Sequence, residues 1–387
     1  MELFSNTIFI LLLIGYGLFE VKKHVLHIQT KYARIFFGTF TILHFSIAFL
    51  FALYLDDLTT ITDPHHFYNE ALNSHSWINN FGFGHNFLIF LIIPFVKLLI
   101  SKKVLFLFFS TISFKGFLVY FKLLHLEKIT IRTSVFCLLF FLPTLHFWTS
   151  MLGKDALIFL FLALFLNAIV NKQSIYVLLI ISLLVFLCRP HVFFVLFLSY
   201  SMIVLFSATF SKSFKKRYFY FVLFVCVLLS VISVRYFLKS ELDLDAILSR
   251  KDMLVSYFHD NSGGSSMKLF SKNYFFRIFY LLLMPFPFLF EFTSSTQYLV
   301  AFENVWILGT LIYAIFSFFK SKKHKIIKTF HFKFAFLFLF MMILMLAIYV
   351  NNLGYWNRLR VMFFPYFIYL LIKIFYNFKS DKKNILQ

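Results

Sequence analysis

The densest run of titratable side chains in the sequence is Asp56-Asp57-Leu-Thr-Thr-Ile-Thr-Asp63-Pro64-His65-His66-Phe-Tyr68-Asn-Glu70. Carboxylates and imidazoles packed this closely can take a proton from a reacting hydroxyl or hold a divalent cation. On a helix, Asp63, His66, Tyr68 and Glu70 would share a neighbourhood. The same stretch also reads as an ordinary solvated loop in which Asp63 caps a short helix and Pro64 opens it.

Three further clusters carry cations of the kind that bind phosphate. Pro143-Thr-Leu-His-Phe-Trp148-Thr-Ser-Met-Leu-Gly153-Lys154-Asp155 joins two apolar runs, and Cys188-Arg189-Pro190-His191 joins two more. Asn351-Asn-Leu-Gly-Tyr-Trp-Asn-Arg358-Leu-Arg360 precedes the last apolar run. Arginine can grip a phosphate with two parallel N–H donors. Each cluster also has a bland counterpart. Asp155 near a helix start is favourable by itself, and an arginine at a membrane boundary often snorkels to water. Arg277 follows Lys268 and Lys272, and Glu303 lies beyond the Pro285-Phe-Pro287 segment. Ionisable groups at such depths are candidates for function.

The elements that must position these groups are apolar helices. Of 387 residues, 61% are hydrophobic and only 14% charged, and the mean hydropathy is +0.85. Soluble domains hold about 25% charged residues. The apolar residues fall in long uniform runs, and about 20 such residues span a bilayer as helix. The pattern predicts an all-α, polytopic transmembrane bundle of about eleven crossings, forming a single domain over 1–387. The outer loops are 56–85 and 235–275. A net charge of +21 is explained by positive cytoplasmic loops rather than by nucleic acid. The cysteines Cys137, Cys188 and Cys226 lie inside apolar runs, so no disulfide framework is offered.

Placing the basic clusters in the cytoplasm, Lys102/Lys103 among them, sets the N-terminus outside and the C-terminus inside. An outward crossing then falls near 133–148 and an inward one near 155–170. Segments 86–121 and 276–290 break the alternation and read as re-entrant or interfacial helices. Leu242 to Phe258 reads as an amphipathic helix in the interface.

The order of these features resembles bacterial envelope-polysaccharide membrane proteins. It begins with a first outer loop bearing Asp63 and Tyr68, followed by Pro143…Trp148-x-Ser150-x-x-x-Lys154-Asp155 and Arg189-Pro190. A proline-rich segment with a following glutamate and Asn357-Arg358-x-Arg360 complete it. The families are the GT-C superfamily glycosyltransferases and the Wzy-type polysaccharide polymerases. The resemblance implies a GT-C-like fold and a sugar donor carried on a polyprenyl phosphate or diphosphate. Transfer would occur at the outer face of a bacterial inner membrane, in O-antigen, capsule or exopolysaccharide synthesis. Asp63 matches the acid that such transferases use as base or metal ligand, so Mg or Mn is an implied cofactor and other polysaccharide-assembly proteins are implied partners.

Glycosyl transfer needs a base for the acceptor hydroxyl and cations for the departing phosphate. The residues that fit the first role are Asp63, His66 and Glu70. Those that fit the second are Lys154, Arg189, His191, Arg277, Arg358 and Arg360. Asp56, Asp57, Tyr68, Asp155 and Glu303 are secondary polar candidates. A transporter or flippase for lipid-linked sugars is the rival, to be recognised by charges such as Lys97 or Lys115 within the membrane. A non-catalytic assembly partner is the third reading.

Overall fold

A computed structural model describes residues 1–57, 63–128, 138–207, 211–232, 249, 273–283, 286, 295–320, 328–350 and 353–383. These residues are helical, with no strand among them. Apolar residues dominate nearly every position, and a helix satisfies its own backbone where no water can.

Among the described residues, five helices are long and apolar enough to cross a membrane. They are α1 (Glu2–Val25), α2 (Lys31–Asp57), α5 (Lys102–Leu123), α12 (Ser295–Lys320) and α13 (Phe330–Tyr349). A sixth span results if α6 (Pro143–Thr149) and α7 (Lys154–Val170), bent by 106°, are one broken crossing. The outward face of α1 shows why: Leu3, Phe4, Leu11, Leu12, Leu18 and Phe19 are all exposed, a face suited to lipid tails. Shorter apolar helices are α4 (His85–Lys97), α8 (Ile175–Cys188), α9 (Pro190–Phe206) and the start of α15 (Phe364–Lys383). Among the described residues, helix length and hydropathy thus mark five or six of the eleven crossings expected from the sequence.

The chain groups into two compact units, residues 1–193, 306–327 and 360–387 in one and 194–305 and 328–359 in the other. In the first unit α2 runs antiparallel to α5. Phe36 and Phe37 meet Phe121, Phe40 meets Phe114 and Phe117, and His44 meets Ser110. α1 runs parallel to α5: Asn6 accepts from the Ser101 amide, and Glu20 pairs with Lys115. α7 packs closely on α5 at Gly116, where a Cβ would stand 2.7 Å from the Phe159 ring and 3.1 Å from the Leu160 backbone. Only glycine fits that crossing.

One end of this unit gathers α3 (Asp63–Asn73), the start of α5 and the N-terminus of α1. Tyr68 donates its hydroxyl to the Ile100 carbonyl at 3.2 Å, and the negative charge of Glu2 reaches it. Lys102 Nζ lies 3.3 Å from His65 Nδ1. At the opposite end the Gln29 amide donates to the Glu127 carbonyl, among Lys22, Lys23, Lys31, Arg34, Lys122 and Lys128.

Two expectations change. The sequence places Lys102 and Lys103 on the cytoplasmic side and the loop 56–85 on the outer side, yet Lys102 sits beside α3 of that loop, so the two placements do not hold together. α4 has 13 residues, short of a membrane span, whereas α5 has 22 and is long and apolar enough for one. The outward crossing expected near 133–148 is interrupted in its described part. A 3₁₀ turn at Leu138–Phe141 ends at extended Leu142, and α6 begins afresh at Pro143. Proline lacks the N–H that a continuous helix requires there, and it pushes the preceding residue out of helical conformation.

In the second unit α10 (Lys212–Ile232) meets α9 through Ser201 and Tyr218, 3.1 Å apart. Tyr200 packs its ring on Phe330 and Phe334 of α13. α11 (Tyr274–Leu283) is tied to α13 where Tyr274 donates to the Leu344 carbonyl and Arg277 to that of Ile348. α14 (Leu353–Leu359) also belongs here. The amphipathic stretch expected at 242–258 lies outside the described residues, apart from Ser249, as do residues 284–285 and 287–294.

Candidate functional site

Two polar clusters form within the first unit, and a short backbone contact links them. The first is built on α3. His66 and Glu70, four residues apart, face each other with His66 Nε2 3.2 Å from Glu70 Oε1. The other carboxylate oxygen meets Nε2 of His85, the first residue of α4. The two imidazole rings are 5.3 Å apart, and buried Phe67 lies 5.0 Å from His85. Gly84 makes the turn into α4 with a φ of +62°, a conformation that side chains resist.

The second cluster is buried. α7 begins after the backbone break at Gly153, which places Asp155 in its first turn, where the helix dipole favours a carboxylate. Asp155 is fully buried and accepts from Arg189 Nη2. Arg189 itself sits in a break: preceding Pro190, it adopts φ −150° and ψ 88° between α8 and α9. The charges of Arg189 and Lys154 both act on His191. Arg189 Nε and His191 Nε2 are shielded from solvent and make no hydrogen bond among the described residues. Buried Arg360 joins this cluster's surroundings, because the 3₁₀ turn Arg360–Met362 packs on α6 and α7.

A chain of buried hydrogen bonds sets the position of α6. His44 Nδ1 and His146 Nδ1 are 2.9 Å apart. Two neutral rings fit if the Ser110 hydroxyl donates to His44 Nε2 while the Ser110 carbonyl, 3.0 Å from that nitrogen, accepts from the Ser113 hydroxyl at 2.9 Å instead. His44 Nδ1–H then donates to His146, and His146 Nε2–H donates to the Phe140 carbonyl at 2.6 Å. This assignment of tautomers follows from the partners. α2, α5 and α6 are thereby locked together just ahead of Lys154 and Asp155.

The link between the clusters is the Gly84 amide, which donates to the Leu187 carbonyl at 2.7 Å. A Cβ on Gly84 would stand 3.9 Å from the Cys188 carbonyl. His85 and Arg189 are thus each within two residues of one backbone contact, and Phe83 packs on Phe186 at 4.8 Å.

Of the residues the sequence singled out, His66, Glu70, Lys154, Asp155, Arg189 and His191 fall in these two clusters, and Arg360 lies on the turn that packs against α6 and α7. Asp63 is exposed at the start of α3. Tyr68 is turned away from His66 and Glu70 toward Ile100, and its burial pushes its phenol above the usual value. Asp56 and Asp57 end α2, and their side chains lie outside the described set. Arg277, Arg358 and buried Glu303 belong to the second unit.

Two functional candidates escaped sequence reasoning. His85 follows Gly82-Phe83-Gly84 at the head of an apolar run, a turn signal with a ligand behind it. His44 is a lone imidazole inside α2. A third feature, Glu241-Leu-Asp243-Leu-Asp245, has Glu-x-Asp and Asp-x-Asp spacing and lies outside the described residues. No family model matches the chain, and the searches of curated proteins and of solved structures gave no match.

Proposed function

We propose that the chain is a membrane glycosyltransferase or polysaccharide polymerase acting on polyprenyl-phosphate- or diphosphate-linked sugars, with a GT-C-like bundle of about eleven crossings. The active end is the one that carries α3, facing outward from a bacterial inner membrane. The observation that carries this reading is the Gly84–Leu187 contact, which brings a carboxylate–imidazole cluster next to a buried arginine with an unused donor.

In the proposed reaction the acceptor hydroxyl loses its proton to Glu70 or His66 and its oxygen attacks the anomeric carbon. The bond from that carbon to the phosphate oxygen breaks, and the phosphate leaves with the electron pair. Arg189 keeps one Nη donor on Asp155 and has Nε free for the phosphate. Lys154 and Arg360 add positive charge nearby, and such fixed donors act strongly where water is excluded.

A second reading has its own support. Glu20 and Lys115 pair between α1 and α5, both long enough to span a membrane, and intramembrane charges are typical of transport pathways. Deleting the gene and analysing surface polysaccharide separates the two. The transferase reading expects loss of long polymer with single lipid-linked units accumulating, restored by wild type and not by Arg189→Ala. Persistence of long polymer, or of units retained on the inner leaflet, supports transport or assembly instead.

A further inference from the structure

We infer that His66, Glu70 and His85 form a binding site for a zinc-type divalent cation, with one coordination position left open. The ligand atoms of these three side chains all lie within 4.8 Å of one another. A tetrahedral zinc at about 2.0–2.2 Å from each ligand places ligand atoms roughly 3.4 Å apart. His66 Nε2 and Glu70 Oε1 are 3.2 Å apart, and the His85–Glu70 pair is closer. Small rotations of the side chains open the triangle enough to admit an ion.

The donor set decides which cation. Magnesium and calcium take oxygen ligands. Two imidazole nitrogens with one carboxylate suit zinc and its borderline neighbours. Three protein ligands leave the fourth position for water or a substrate oxygen, the arrangement of catalytic rather than structural zinc. This departs from the Mg or Mn that the family resemblance implies, and it replaces Asp63 with His85 in the ligand set.

The framework is built to hold the triangle. His66 and Glu70 sit one turn apart on α3, so they face the same side. His85 is fixed by the turn at Gly84, whose amide is anchored to the Leu187 carbonyl. Phe67, buried at 4% exposure, packs against the His85 ring from the core side. The cluster itself remains half-exposed, so an ion can enter from solvent. Neighbouring His65 is engaged with Lys102 instead, which distinguishes it from the ligands.

The inference concerns the cluster used in the proposed transfer and revises its part there, since a ring nitrogen or carboxylate oxygen bound to zinc is not also free to take the acceptor proton. It rests on ligand geometry alone, and its readout is metal rather than sugar. The full chain, purified in detergent, is stripped with a chelator and titrated with zinc against a chromophoric competitor. Cobalt(II) absorption then reports the coordination. Losing an outer-shell partner typically costs about 10–100-fold in metal affinity. Loss of a ligand in His85→Ala or Glu70→Ala is therefore expected to weaken zinc by at least about 100-fold, with helix content unchanged. His65→Ala is expected to retain the wild-type affinity, and wild-type cobalt protein to show the intense visible bands of a four- or five-coordinate ion. The inference is overturned if wild type binds no zinc after stripping. Equal weakening in His65→Ala and His85→Ala, or an octahedral cobalt spectrum, would also overturn it. Transfer activity decides none of these outcomes, so a failed glycosyltransferase reading and a failed zinc site are told apart.

Discussion

The two polar clusters of the first unit use similar groups under opposite conditions. His66, Glu70 and His85 are half-exposed on α3 and α4, and water can replace any partner that is lost. Asp155 and Arg189 are buried between α7 and the α8–α9 break, where nothing can. Exposed ion pairs contribute about 0–1 kcal/mol, whereas removing one member of a buried pair costs about 3–5 kcal/mol. The first cluster is therefore free to exchange partners with water. The second is fixed by the fold and presents its spare donor in a constant place.

The sharpest way to break this comparison is Asp155→Ala. It strands the Arg189 guanidinium in a buried site, and a stability loss of about 3–5 kcal/mol is expected, read as a lower thermal midpoint of the detergent-purified chain. An unchanged midpoint would mean that the ion pair is wetter than its burial indicates. His146→Phe comes next. It leaves the Phe140 carbonyl and the Nδ1 of His44 without partners, at a cost of about 1–3 kcal/mol. Gly116→Ala falls in a similar range. Its methyl would meet Phe159 and Leu160, and overpacking typically costs about 1–3 kcal/mol. At the exposed cluster, His66→Ala should move stability by less than about 0.5 kcal/mol while abolishing tight zinc binding. A large fall in its melting temperature would erase the distinction between the two regions.

Much of the framework was legible in the sequence. Asp63-Pro64 announced the start of α3, Gly153-Lys154-Asp155 the start of α7, and Arg189-Pro190 the break between α8 and α9. Each is a local signal, fixed by backbone chemistry within a few residues. What could not be read depends on long-range pairing. Asp155 and Arg189 are separated by 34 positions, and His44 and His146 by 102; no periodicity ties either pair. His85 belongs with α3 only because α4 folds back beside it. The nearness of Lys102 to His65 was equally hidden, because charge bias over whole loops carries no information about which residue a given lysine meets.

The central claim is that the two clusters act as one site. Single-turnover sugar transfer from a polyprenyl-diphosphate donor, measured for Glu70→Gln, Arg189→Lys and the double variant, tests it most directly. Residues acting as a unit show grossly non-additive losses. The account predicts that each single variant loses most of the transfer rate and that the double variant is little worse than the poorer single. Losses that multiply in the double variant would contradict the single site, and a wild-type chain that transfers no sugar would contradict the account as a whole.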